Sequence, residues 1–275
     1  MCELFAMSSL APATVRFSLE EFSRHGGLTG PHNDGWGIAY YEDGDVRLVK
    51  EPHAASDSAC IRFIQEHPFS SSLVVSHIRK ATQGAPVLRN CQPFTRELGG
   101  AMHVFAHNGN LDRPGLHQLS LGIYRPIGET DSEYAFCSLL DRLHELWLGA
   151  RGVPPFEDRL GIVADFAAEI GKLGPANFLY SDGDALFAHG NRRMQADQVI
   201  RPPGLHVLCR RCAAQAEPMT AAGLALGAAG GEQQVVLFAS VPLTAEAGWQ
   251  ALQEGELIAA RTGAIVARAP REVGA

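Results

Sequence analysis

Two helical segments stand back to back in the middle of this chain, with strand-like sequence on both sides. That order limits the fold more than any other feature. Thr130-Asp131-Ser132-Glu133 has the form of a capping box, a Thr N-cap with Glu three residues on. The sequence after it sets Phe136, Cys137, Leu140, Leu143 and Trp147 on one 3.6-residue stripe, and Gly149 ends the run. A second helix is expected over 156–173. Strands then a helix pair then strands favours an α+β layered domain over an alternating parallel fold.

Before the helices, strands are expected at 2–10, 38–41, 46–50, 73–78 and 103–106. Asp43-Gly44 marks a hairpin between the second and third. Ser18 is expected to cap a short helix through Phe22, followed by a Gly-, Pro- and His-rich surface loop over 24–33. Asp57 is expected to open a helix ending near His67. The span 79–102, with Gly84, Pro86 and Pro93, reads as loop. After Pro175, strands are expected at 176–180 and 186–189 around the turn Asp182-Gly183, then at 205–209, 235–239, 256–260 and 264–268. The Ala/Gly-rich stretch 221–231 reads as an exposed connection. Hydrophobic content of 46% over 275 residues suffices for a large core, and a single domain over 1–275 is expected.

Charge and composition remove several classes of function. The net charge is -7 and no basic stripe is present, which argues against nucleic-acid binding. No apolar run approaches the roughly 20 residues that span a bilayer. Glu3 interrupts the N-terminus early, which does not suit a signal peptide. The six cysteines, at 2, 60, 91, 137, 209 and 212, are scattered as in a reducing compartment, so a cytoplasmic location is expected. Cys209-Arg210-Arg211-Cys212 has the spacing of half a zinc site, but no second pair follows and two core or edge cysteines is the better reading. The eleven histidines form no paired helical motif, and there is no Gly-rich Lys-Ser/Thr phosphate loop. No metal and no cofactor are expected.

The candidate chemistry begins at Met1-Cys2. Removal of Met1 would leave a thiol and a free α-amino group on one residue, a nucleophile beside a base whose pKa is roughly 7.7–8.0. Arg79 follows a strand end, where its planar fork could bind a carboxylate; its bland alternative is a solvated Arg. In His107-Asn108-Gly109-Asn110, an Asn amide beside a Gly N–H could hold an oxyanion, although Asn-Gly is also a common turn. Asp131 suits a helix N-terminus for electrostatic reasons alone, and could equally hold an ammonium group. Asn90-Cys91-Gln92-Pro93-Phe94 and Asp34-Gly35-Trp36-Gly37 could wall a pocket. Together the groups complement an α-amino acid with a terminal amide. That is glutamine or asparagine, and the chemistry does not separate them.

The sequence resembles the class II glutamine amidotransferases, whose catalytic domain is of the N-terminal-nucleophile hydrolase type. Met1-Cys2, His77-Ile78-Arg79-Lys80-Ala81-Thr82, His107-Asn108-Gly109-Asn110 and Gly128-Glu129-Thr130-Asp131 match in order. Asp34-Gly35-Trp36-Gly37-Ile38-Ala39-Tyr40-Tyr41, Asn90-Cys91-Gln92-Pro93-Phe94 and Val241-Pro242-Leu243-Thr244 extend the likeness to the stand-alone, YafJ-like subgroup. The resemblance implies an αββα sandwich of two mainly antiparallel sheets between helical layers. It implies glutamine as donor, a γ-glutamyl thioester on Cys2 and release of ammonia. It also implies Cys2, Asn108 and Gly109 as catalytic residues, with Arg79, Thr82 and Asp131 binding substrate. Lys80 stands where many amidotransferases carry an aromatic residue, and Gln83 and Gln92 where some carry His.

Two readings of the released group stay open. A partner protein could accept the ammonia, since no synthase module is recognised. Alternatively the chain could hydrolyse γ-glutamyl amides or peptides, as relatives of this fold do in ergothioneine synthesis and glutathione breakdown. A non-catalytic binding module is the reading from another class, and the presence of both Cys2 and the oxyanion donors weighs against it.

Overall fold

The computed structural model describes residues 2–14, 33–212, 219–221, 224–226, 233–244 and 247–269. The strands in chain order are β1 (Glu3–Thr14), β2 (Trp36–Glu42), β3 (Asp45–Glu51), β4 (Ser70–Ile78), β5 (Phe94–Leu98), β6 (Ala101–Gly109), β7 (Ala176–Ser181), β8 (Leu186–Gly190), β9 (Arg193–Met194), β10 (Ile200–Arg201), β11 (His206–Cys212), β12 (Met219–Ala221), β13 (Leu224–Leu226), β14 (Gln233–Ala239), β15 (Gln250–Ala251), β16 (Glu256–Arg261) and β17 (Ala264–Ala269). The described α-helices are α1 (Ala59–Glu66), α2 (Arg113–Leu116), α3 (Asp131–Gly149) and α4 (Phe156–Ile170).

Two large sheets carry the fold. One runs β15-β11-β14-β1-β4-β2-β3 and the other β17-β16-β8-β7-β6-β5. Every described neighbour pair in them is antiparallel. Period-two alternation gives each sheet two apolar faces. Leu4, Ala6 and Val75 of the first sheet meet Val104, Ala106 and Leu179 of the second in a shared core. The other face of the six-stranded sheet, with Phe105, Phe178 and Phe187, is covered by α3 and α4 through Phe136, Leu140, Leu143 and Phe166. The other face of the seven-stranded sheet, with Phe5, Ile38 and Val74, packs on Ile61 and Ile64 of α1. The expected αββα layering is therefore present.

Local chemistry accounts for the element ends, with some departures from expectation. Asp43 and Gly44 have φ of 53° and 84°, the left-handed pair that a tight hairpin requires. Thr130 Oγ1 accepts the Glu133 N–H at 3.2 Å, as a cap should. Glu133 does not complete the box. Its carboxylate accepts Ile127 N–H (3.1 Å) and Gly128 N–H (2.7 Å) and pairs with Arg96 (2.6 Å), so it ties down the turn before the helix. Ser58, not Asp57, caps α1, accepting the Ile61 N–H at 3.0 Å, while Asp57 ends a preceding 3-10 turn. Residues 94–98, expected as loop, form β5, because the turn Gly99-Gly100 returns them against β6 in register from Phe94↔Phe105 to Leu98↔Ala101. Within the expected connection 221–231, Ala221 pairs with Leu224 in the β12–β13 ladder. The expected helix over Ser18–Phe22 and the loop at 24–32 lie outside the described residues.

One buried ionic group locks the end of the β7–β8 hairpin. Arg159 of α4 pairs with Asp182 (2.6 Å) and Asp184 (2.6 Å), and its Nε–H donates to the Pro154 carbonyl (3.0 Å). Burial raises the Asp182 pKa, and the Arg159 cation opposes the rise. Removing one partner would strand the other charge. Arg159→Met is expected to lower unfolding free energy by about 3–5 kcal/mol, read from the midpoint of a urea titration. A midpoint equal to wild type would show that water reaches this carboxylate.

Candidate active site

Strand register brings the N-terminal cysteine to Arg79. Glu3 of β1 pairs with Ile78 of β4, so the residues just beyond, Cys2 and Arg79, leave the sheet together. The Cys2 thiol sits on the Lys80 peptide: Sγ accepts the Lys80 N–H at 3.4 Å and lies 3.4 Å from the Lys80 carbonyl oxygen. Alternation places Cys2 on the face of Leu4 and Ala6, which is the face between the sheets. On the opposing sheet the same alternation along Val104 and Ala106 places Asn108 on that inter-sheet face. His77 lies on it too, in line with Leu73 and Val75, whereas His107 turns to the helical side.

Asn108 is the most unusual polar residue of this region. It is 1% exposed, yet neither its Nδ2 nor its Oδ1 has a hydrogen-bond partner. A buried amide left unpaired costs roughly 1–3 kcal/mol, so native proteins seldom keep one without a use for it. Its main chain is well held, because Asn177 Nδ2 donates to the Asn108 carbonyl at 2.9 Å. Gly109 is fixed by close approach: a Cβ there would stand 1.8 Å from the Pro175 carbonyl oxygen.

Arg79 does something the sequence did not suggest. Its two terminal nitrogens donate to four carbonyls, of Asp34 (3.2 Å), Ala85 (3.1 Å), Gln83 (2.8 Å) and Gly84 (2.9 Å). The guanidinium thereby gathers the 83–85 turn around itself. Asp34 supports the same loop through Oδ2, which accepts the Ala81 N–H at 2.8 Å. Gln83 carries the connection onward, donating to Asn110 Oδ1 (2.8 Å) and accepting from Arg113 Nε (2.6 Å). Buried Asn90 ties Ala85 to Glu129, donating to one carbonyl and accepting the other's N–H, both at 2.9 Å. The Arg79, Asn108 and Asp131 segments are thus one hydrogen-bonded unit. Thr82 stands exposed on the turn.

Asp131, 6% exposed at the first position of α3, accepts the Leu111 N–H on Oδ2 (2.8 Å) and the Ser132 N–H on Oδ1 (2.9 Å). A carboxylate oxygen has capacity for a further donor, so these bonds leave room for an ammonium group. Burial pushes the Cys2 thiol pKa up; the Lys80 N–H and the Arg79 charge pull it down, and the Asp131 charge raises it. Burial also lowers the His107 pKa, with Asp131 opposing, which favours a neutral ring whose Nδ1 lies 2.9 Å from Ser132 Oγ. Among the described residues, no group of three His, Cys, Asp or Glu side chains could hold a metal ion. Cys209 is exposed on β11.

Residues 1–274 match the family model described as glutamine amidotransferases class-II. The chain belongs to the class II glutamine amidotransferases. Within that family it is 35% identical over 261 residues to Escherichia coli YafJ, a protein that carries the name "Putative glutamine amidotransferase YafJ", covering 93% of this chain and 96% of that one. It superposes with a TM-score of 0.69, at 33% identity, on the crystal structure of a predicted glutamine amidotransferase from Pseudomonas aeruginosa, covering 97% of this chain and all of the other. The fold of this amidotransferase also matches glutamine phosphoribosylpyrophosphate amidotransferase from Bacillus subtilis, with a TM-score of 0.62 at 15% identity. That match covers 99% of this chain and 50% of the larger enzyme.

The supporting roles of Asn90, Gln92, Ser132 and Asn177 in this candidate site were not legible in the sequence. Asn90 and Gln92 stood in a recognised loop, but nothing in their spacing showed that their amides would replace main-chain partners. Ser132 lay hidden in the capping box. Asn177 opens an ordinary strand and carries no local signal.

Proposed function

We propose that the protein is a glutaminase, with Cys2 as nucleophile once Met1 has been removed. The single observation that carries this reading is the unpaired Asn108 amide, buried on the same inter-sheet face as the Cys2 thiol. An amide in that state is a donor waiting for an acceptor. The Cys2 sulfur attacks the γ-carbonyl carbon of glutamine, and the thiol proton passes to the α-amino group of Cys2. The carbonyl oxygen becomes an oxyanion held by Asn108 Nδ2–H and the Gly109 N–H. Collapse breaks the C–N bond, and the α-ammonium returns the proton so that ammonia leaves. Water then cleaves the γ-glutamyl thioester, giving glutamate and the free thiol.

The raised thiol pKa supports a base-assisted attack. A thiol held above its ordinary pKa stays protonated near neutral pH and needs a base within reach. The Cys2 amine is such a base, carried on the same α-carbon. Asp131 receives the α-ammonium of the substrate, and the Arg79 guanidinium receives the α-carboxylate. Direct contact with Arg79 requires the guanidinium to give up some of its four carbonyl bonds. Thr82, on the same turn, lines the entrance. A reducing compartment, as in the cytoplasm, keeps the nucleophile a free thiol, and a protein partner receives the ammonia.

A substrate screen tests this. Purified protein is offered glutamine, asparagine, glutathione and other γ-glutamyl compounds while free glutamate and aspartate are measured. Glutamate from glutamine with no aspartate from asparagine is the expected result. Glutamate from γ-glutamyl peptides alone would replace this reading with that of a peptide hydrolase. Release of aspartate from asparagine alone would contradict both.

A further inference from the structure

We infer that Gln92 is a positioning residue for the oxyanion site. This rests on the reading of Asn108 and Gly109 given above. Phe94 of β5 pairs with Phe105 of β6, so Gln92 stands opposite His107 two positions further along. At that point β5 has ended, and main-chain pairing with β6 stops at Phe94. The Gln92 side chain takes over. Its Oε1 accepts the His107 N–H at 2.6 Å, and its Nε2 donates to the His107 carbonyl at 3.2 Å. One primary amide thus supplies both halves of a strand pair, and it does so while 4% exposed.

The position of this clamp has a consequence for the site. In an antiparallel ladder, a residue's N–H and C=O point to one side and those of the next residue to the other. His107 turns its pair toward Gln92. Asn108 turns its carbonyl to β7, where Asn177 holds it. Gly109 turns its N–H back to the side of Gln92, one step past the last partner β5 could provide. The clamp therefore sets the direction of the Gly109 N–H and the root of the Asn108 side chain. The His107 ring adds a second anchor at Ser132 Oγ. The backbone of Gln92 is fixed as well, since a Cβ on Gly37 would stand 2.4 Å from the Gln92 carbonyl oxygen.

Donor alignment matters in the transition state more than in substrate binding. Gln92→Ala should lower kcat for glutamine by about 10- to 100-fold, short of the 10²–10³-fold that follows loss of a whole oxyanion donor, with KM within about twofold of wild type. Amide hydrogen exchange at His107 should quicken in the variant. Gln92→Glu provides the second measurement. Its carboxylate keeps the acceptor but sets a negative oxygen against the His107 carbonyl; once protonated it again has one donor and one acceptor. The ratio of Gln92→Glu activity to wild-type activity should therefore rise as pH falls. Gln92→Ala activity equal to wild type, or a loss confined to KM, would overturn the positioning role. So would a Gln92→Glu ratio that does not change with pH. A wild-type protein that hydrolyses no γ-glutamyl compound would instead overturn the reading of the site itself, and the role of Gln92 with it.

Discussion

Cys2→Ala should reduce glutamine hydrolysis to background, a loss on the order of the 10⁶-fold seen when a covalent nucleophile is removed, and leave the fold intact. The two halves of this expectation have separate causes. The sulfur makes two contacts of 3.4 Å with the Lys80 peptide, and Cys2 lies before the first residue of β1 and is only half-buried. Little packing depends on it. The proposed chemistry depends on it entirely, because no other described cysteine shares its place. Cys91 and Cys137 are buried thiols with raised pKa, and Cys209 faces outward on β11. Initial rates of glutamate release and a urea unfolding curve measure the two halves. Residual turnover above background would mean that another group attacks the amide. A large loss of stability would make the activity result uninformative about the nucleophile, and Cys2→Ser would then serve, since it preserves the shape of the side chain.

Asn108→Ala has the second largest expected effect. Loss of one oxyanion donor raises the barrier by about 2.7–4 kcal/mol, which is roughly 10²–10³ in kcat. The stability of this variant separates a catalytic amide from a structural one. A structural Asn would be spending its amide on neighbours, and its removal would leave them unpaired. Here neither amide atom has a partner, so the truncation orphans nothing. The unfolding free energy should fall by no more than about 1 kcal/mol from wild type. A variant that keeps its kcat, or one that unfolds several kcal/mol more easily, would show that Asn108 supports the strand and not the reaction.

The layered architecture was legible because its signals are periodic and local. Thr130 with the stripe from Phe136 to Trp147 announced α3, and Asp43-Gly44 announced the β2–β3 hairpin. Strand β5 was not legible: Phe94-Thr95-Arg96-Glu97-Leu98 has apolar residues only at its ends, and its register comes from the Gly99-Gly100 turn and from β6. Ser58 and Asp57 were one residue apart as helix starts, and only the Ser58 hydroxyl reaches the Ile61 N–H. The candidate site shows the same division. Cys2, Asn108, Gly109 and Asp131 could be named because each residue type has a chemical meaning in its motif. The four carbonyls that Arg79 gathers come from Asp34 and the 83–85 turn, and the partners of Gln92 and Asn177 lie 15 and 69 residues away in sequence. Long-range pairings of that kind depend on the folded register, which no window of sequence contains.

In the proposed mechanism an N-terminal Cys2 carries a γ-glutamyl group during turnover. Mass spectrometry of the N-terminal peptide, after mixing enzyme with glutamine and quenching in acid, tests it directly. The expected peptide begins at Cys2, without Met1, and carries one γ-glutamyl group lost on treatment with hydroxylamine. An active preparation whose N-terminal peptide retains Met1, or whose γ-glutamyl group sits on another residue, would contradict it.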